Sequence, residues 1–140
     1  MSPGSTRTGG VLEDMVLPAL RHGGYECRAQ VTIGRRLGLG AHKVDVIATK
    51  DGRSVLISVK WQQVSGTAEQ KVPFEVICLL HAMDESPGSY AKAYVVLGGE
   101  GWTLRGFYTS GGLINYISYA DKVEILTLEG FIGRANSGRL

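Results

Sequence analysis

Two Val- and Ile-rich runs, VDVIAT at 44–49 and SVLISVKWQQ at 54–63, flank the tetrapeptide Lys50-Asp51-Gly52-Arg53. Asp-Gly between two such runs is a strong signal for a two-residue hairpin, because both central residues must adopt positive φ. The turn sets the register. Lys50 pairs with Arg53, Thr49 faces Ser54, Ala48 faces Val55, Ile47 faces Leu56 and Val46 faces Ile57, which brings Asp45 opposite Ser58. Cross-strand neighbours stand about 5 Å apart on one face, and side chains alternate along each strand. One face therefore carries Asp45, Ser58, Lys60 and Gln62. Val44, Val46, Val59 and Trp61 point the other way and can be core. An Asp and a Lys turned toward apolar neighbours require an explanation, since unpaired charges there are costly. The plain one is a structural ion pair on a solvated sheet face, where such pairs are common and weak.

The rest of the chain alternates helix and strand signals. Leu12, Met15, Val16, Ala19 and Leu20 recur with helical spacing, Pro18 predicts a kink, and Gly23-Gly24 end the helix. Tyr25 to Ile33 is a strand, followed by the Gly-rich stretch RRLGLGAHK with Arg35, Arg36, His42 and Lys43. Residues 64–71 connect to a helix that Pro73 opens as its first residue, with Val76, Leu79, Leu80 and Met83 as its apolar stripe. AKAYVVLGG is a short buried strand, 104–119 is ambiguous with a helix favoured after its Gly-rich turn, and VEILTLEGFI is a strand leading into a helical turn. The order implies an α/β fold: a mixed central sheet flanked by helices. Residues 1–8 are expected to be a flexible arm, 9–134 one domain, and 135–140 a fraying tail within RANSGRL.

Composition excludes more than it assigns. Glycine takes 20 of 140 positions, about twice its usual share, so tight turns are expected. The formal charge of +2 permits a nucleic-acid partner only where the cations cluster. No apolar run approaches the roughly 20 residues of a membrane span, and MSPGSTRTGG has no signal-peptide core, so an intracellular, cytoplasmic location is expected. Cys27 and Cys78 then read as reduced thiols. The three histidines, at 22, 42 and 81, lack zinc spacing.

Asp45, the hairpin and Ser58-Val59-Lys60, preceded by a helix and strand and followed by a Glu-bearing helix and a strand, resemble the PD-(D/E)XK nuclease superfamily, with its restriction-endonuclease-like fold. The resemblance covers residues 9–97. Val44 replaces a proline common in the family. Ser58 replaces the second metal-binding carboxylate, as in a group of restriction enzymes that supplies this carboxylate from the following helix. The resemblance implies Glu75 for that role, with Glu69 as the alternative if 64–71 is already helical. It further implies a Mg2+ site, with Mn2+ as a substitute, held by Asp45, Glu75 and the carbonyl of Val59. Lys60 would orient water or stabilise charge, and Gln62 would position water or phosphate. Glu13 on the first helix matches an acidic residue that many members place beside the metal. Arg35, Arg36, His42 and Lys43 would meet DNA phosphates.

The function implied is a metal-dependent endodeoxyribonuclease acting on duplex DNA as a homodimer, in the manner of a restriction or homing enzyme. The alternatives are a Holliday-junction or other structure-specific resolvase, and a non-catalytic DNA-binding module left by loss of the carboxylate at Ser58.

Overall fold

The computed structural model describes residues 8–38 and 40–140. The arm expected at the N-terminus lies, apart from Thr8, outside them. Helix α1 spans residues 8–22, and Pro18 shapes it. Proline cannot donate to the carbonyl four residues back. The chain absorbs this through a π-helical turn, Leu12–Val16, in which the N–H of Leu17 reaches the carbonyl of Leu12. The α-helical part, Leu17–His22, then has Pro18 in its first turn, where an N–H is not needed. The expected kink is thus a change of winding. The extra residue rotates the stripe, so Leu12, Val16, Leu17 and Leu20 are buried while Met15 is 43% exposed.

Strands β1 (Glu26–Arg35), β2 (Ala41–Lys50), β3 (Arg53–Trp61), β4 (Lys92–Gly98) and β5 (Val123–Thr127) form one sheet in that order. The first three are antiparallel; β4 and β5 join parallel to β3. Asp51 and Gly52 both take positive φ, 52° and 76°, the geometry expected of the hairpin turn. Pairing follows the counted register from Lys50↔Arg53 to Val46↔Ile57.

Helix α2 (Ala68–Glu85) covers one face of the sheet, packing Val72, Val76 and Leu79 with Val44, Ile47, Leu56, Val95 and Leu97. On the other face α1 and the C-terminal helix pack with Val46, Ala48, Val55, Ile57 and Val59. Short helix α3 (Arg105–Thr109) and two single turns occupy most of the segment 104–122. Helix α4 (Leu128–Asn136) follows β5 directly, and Thr127 caps it by accepting from the N–H of Gly130 at 3.1 Å. Phe131 of α4 meets Tyr94 edge-on, with centroids 6.0 Å apart.

The structure departs from the sequence pattern at three places. Pro73 lies inside α2, not at its start, because the helix begins at Ala68. An internal proline leaves the carbonyl of Glu69 without its helical donor. The hydroxyl of Tyr108 donates to it at 2.6 Å, which makes the internal proline tolerable. Val44 and Val46 do not share a face: they enter opposite cores, so the alternation of β2 breaks at Asp45. The C-terminal residues, expected to fray, are helical to Asn136, and the N–H of Leu140 donates to the Tyr25 hydroxyl at 2.9 Å. Cys27 and Cys78 are free thiols. Among the described residues no helix is long and apolar enough to cross a membrane.

Candidate active site

The break in β2 gives Asp45 its position. Ladder pairing with β3 stops at Val46↔Ile57, one residue short of the expected Asp45–Ser58 pair. The Asp45 carboxylate instead accepts the backbone N–H of Val59 at 2.7 Å, bridging the two strands where they part. On the opposite side Ala29 faces Val46 and Val31 faces Val44, so Gln30 falls beside Asp45. Gln30 holds φ at +56°, unusual for a side chain of its kind, and its amide hydrogen-bonds Asp45. Burial pushes the Asp45 carboxyl above its ordinary range, and Glu75 nearby adds to this. The Val59 N–H, Lys60 and Gln30 oppose it.

Glu75 arrives from α2. It sits three residues after Val72 and four before Leu79, on the helix stripe that faces the sheet, and is 3% exposed. A buried carboxylate requires partners, and Glu75 has them from three segments. His42 Nε2 of β2 stands 3.2 Å from Oε1. Lys60 Nζ of β3 stands 3.0 Å from Oε2, and Arg36 Nη2 stands 3.4 Å from the same oxygen. Burial acts to raise the Glu75 pKa, but the His42 hydrogen bond, Lys60 and Arg36 together outweigh it and hold the carboxyl at about 2. Asp45, Lys60 and Glu75, distant in sequence, therefore share one electrostatic environment.

The fate of the other expected residues differs. Gln62 does not face the site as a free side chain. Its Oε1 accepts the Ala68 N–H at 3.0 Å, at the start of α2, and its Nε2 donates to the Gly101 carbonyl at 2.8 Å. Gly99 and Gly101 pack against this segment so closely that an added Cβ would sit 2.4 Å from the Gln62 carbonyl oxygen and from the Val64 carbonyl carbon. Gln62 thus sets where α2 begins. Glu69 is likewise engaged, accepting the Thr103 hydroxyl at 2.6 Å and the Leu104 N–H at 2.8 Å. These bonds, the Thr103 hydroxyl first, lower its pKa.

His42 is not a surface cation of the Gly-rich loop. It is 1% exposed, in phase with buried Val44, while the intervening Lys43 is exposed. Arg35 is exposed at the end of β1, and Arg36 turns inward to Glu75, its N–H closing the turn onto Gly40 at 3.1 Å. Glu13 is exposed on α1, and among the described residues no hydrogen bond or ion pair joins it to Asp45, Lys60 or Glu75.

Sequence reading missed Gln30 and the inward turn of His42. The signal for His42 was its two-residue spacing from Val44. Gln30 could not be found, because its pairing with β2 depends on the irregular connection, where the register shifts between Thr32 and Arg35.

The donor set suits a hard divalent cation. Asp45 and Glu75 offer carboxylate oxygens. A residue in a strand directs its N–H and C=O to the same side, so the Val59 carbonyl also faces β2 and Asp45. Magnesium takes such oxygen ligands and completes its shell with water. Among the described residues no three of His, Cys, Asp and Glu gather as a protein-only metal cluster.

Residues 4–138 match the PD-(D/E)XK nuclease superfamily domain, and the chain belongs to that superfamily. Its members generally use divalent metals. Among solved structures, the chain is similar to AF1548, a protein of unknown function, at 12% identity and a TM-score of 0.51, covering 80% of this chain and 54% of that one. It is also similar to a repair endonuclease from Pyrococcus abyssi, at 15% identity and a TM-score of 0.46, covering 93% of this chain and 48% of that one. The chain thus spans about half the length of either structure. No curated protein matches the sequence.

Proposed function

We propose that this chain is a divalent-metal-dependent endodeoxyribonuclease, with Asp45, Glu75 and the Val59 carbonyl as Mg2+ ligands and Lys60 as the cation beside the reacting phosphate. The observation that carries this reading is the meeting of Lys60 and Glu75 at 3.0 Å in the environment of Asp45. It supplies from α2 the carboxylate that Ser58 lacks, and that weighs against a module that has lost its chemistry.

Hydrolysis of a phosphodiester adds a water oxygen to phosphorus, breaks one P–O ester bond and leaves a phosphate on one product and a hydroxyl on the other. When bound, the metal supplies charge relief at the phosphate and a more acidic water. Asp45, held by the Val59 N–H and Gln30, keeps a fixed carboxylate at the parted strands. Lys60, with 27% of its side chain exposed, reaches the open side of the site and can orient water or offset negative charge developing there. Gln62 acts through position, by fixing the start of the helix that carries Glu75.

Exposed Arg35 and Lys43 beside the site would meet DNA phosphates. Among the described residues there is one such catalytic set, so cutting both strands of a duplex takes two copies, and we read the working form as a homodimer. The test is incubation of the protein with plasmid and four-way-junction DNA, with and without Mg2+. Cleavage that requires the metal and vanishes in Asp45→Ala and Lys60→Ala is the expected outcome. Cleavage at the wild-type rate in either variant removes the proposed site. Preference for the junction identifies a resolvase.

A further inference from the structure

His42 is an expensive residue for its place. It is 1% exposed, and among the described residues its Nδ1 is a buried side-chain nitrogen without a hydrogen-bond partner. An apolar residue of similar shape would avoid that unsatisfied atom. Its other nitrogen, Nε2, stands 3.2 Å from Oε1 of Glu75, which is also buried. An ionised carboxylate only accepts, so Nε2 carries the proton and donates.

The two oxygens of Glu75 are held from different sides. Lys60 and Arg36 lie at Oε2, with 27% and 31% of their side chains exposed. His42 lies at Oε1, with 1% exposed. The partners at Oε2 have long, flexible side chains that are partly open to solvent, and on the proposed reading Lys60 also serves the attacking water. His42 has a short side chain on a β-strand and is shut away from solvent, so it cannot leave. We propose that His42 is a positioning residue: it grips Oε1 from the buried side and keeps Oε2 turned to the open side, where a metal ion would take it. The inference rests on the metal-dependent reading above.

Ligating carboxylates held by a second hydrogen bond lose metal affinity by ~10- to 100-fold when that bond is removed. Titration calorimetry with Mn2+ or Mg2+ on the whole chain reads this without catalysis. His42→Leu should weaken binding within that range, while His42→Gln, whose amide can donate near the Nε2 position, should stay within a few-fold of wild type. In cleavage assays His42→Leu should raise the metal concentration needed for half-maximal rate and leave the KM for DNA unchanged. On a Glu75→Ala background, His42→Leu should cause no further loss of metal affinity.

Wild-type affinity in His42→Leu, or an equal loss on the Glu75→Ala background, would overturn the positioning role while the metal site stands. If His42→Leu does not fold, His42→Asn serves. Its amide falls short of Oε1, so it must bind metal more weakly than His42→Gln, and equal affinities would overturn the role. A wild-type chain that binds no metal would remove the metal reading and this inference together, and it is recognised before any variant is compared.

Discussion

In the metal-free protein, acid should cost stability through Glu75. Its carboxyl titrates ordinarily at 4.5 and in the folded chain at about 2. A depressed folded value means that folding favours the ionised form. The stabilisation is therefore complete above the ordinary value and is lost as pH falls from about 5 toward 2. At ~1.36 kcal/mol per pH unit, the fall from 4.5 to about 2 corresponds to about 3 kcal/mol. With only 4% of the side chain exposed, solvent screening removes little of it. Asp45 works in the opposite sense. Its carboxyl is raised partly by the Glu75 charge, and losing that charge lowers it, so about 3 kcal/mol is an upper figure. Glu75→Gln keeps the shape and removes the titration. Urea unfolding of wild type and variant, in chelator, at steps between pH 7 and pH 2.5, isolates the effect as the gap between two curves. The gap should be widest at neutral pH and should close progressively below pH 5. A gap that stays constant with pH would refute the reasoning, because the stabilisation would then not come from the ionised form of Glu75.

Tyr108→Phe should lower stability by ~1–3 kcal/mol, since it strips the donor from the Glu69 carbonyl that Pro73 leaves unpaired; Tyr108→Phe with Pro73→Ala should recover part of this in thermal melts. Glu69→Ala should lower the melting temperature, by releasing Thr103 and Leu104, yet retain metal-dependent cleavage, whereas Glu75→Ala should be nearly inactive; the reverse pattern would return the ligand role to Glu69. Arg35→Ala and Lys43→Ala should each weaken DNA binding evenly across sequences and reduce the salt slope by about one, measured by fluorescence anisotropy at several salt concentrations. Sedimentation should show a dimer on duplex DNA, and a monomer both free and bound would count against the assembly.

The hairpin was legible in the sequence because every quantity that defines it is local. Asp51-Gly52 demands positive φ at both positions, the turn length sets the register, and alternation assigns Lys60 its face. That a carboxylate is missing at Ser58, and that Glu75 is the candidate to replace it, was implied by the resemblance to the nuclease superfamily rather than by local pattern. Local logic failed where a partner distant in sequence decides the outcome. Pro73 looked like a helix start because nothing in the neighbouring residues reveals that Tyr108 satisfies the Glu69 carbonyl. Gln62 and Glu69 looked available for chemistry because their acceptors and donors belong to residues 101–104, beyond the next strand. Val44 and Val46 looked alike because period-two counting cannot register a break in the strand, and the break falls at Asp45, whose carboxylate takes the Val59 N–H across the parted strands. The residue types and their order along the chain therefore determined which groups are candidates for the proposed chemistry. Which carboxylate stands beside Lys60, and which stays tied to a loop, was decided only when β2, β3 and α2 packed together, because a buried charge takes its role from the partners that satisfy it.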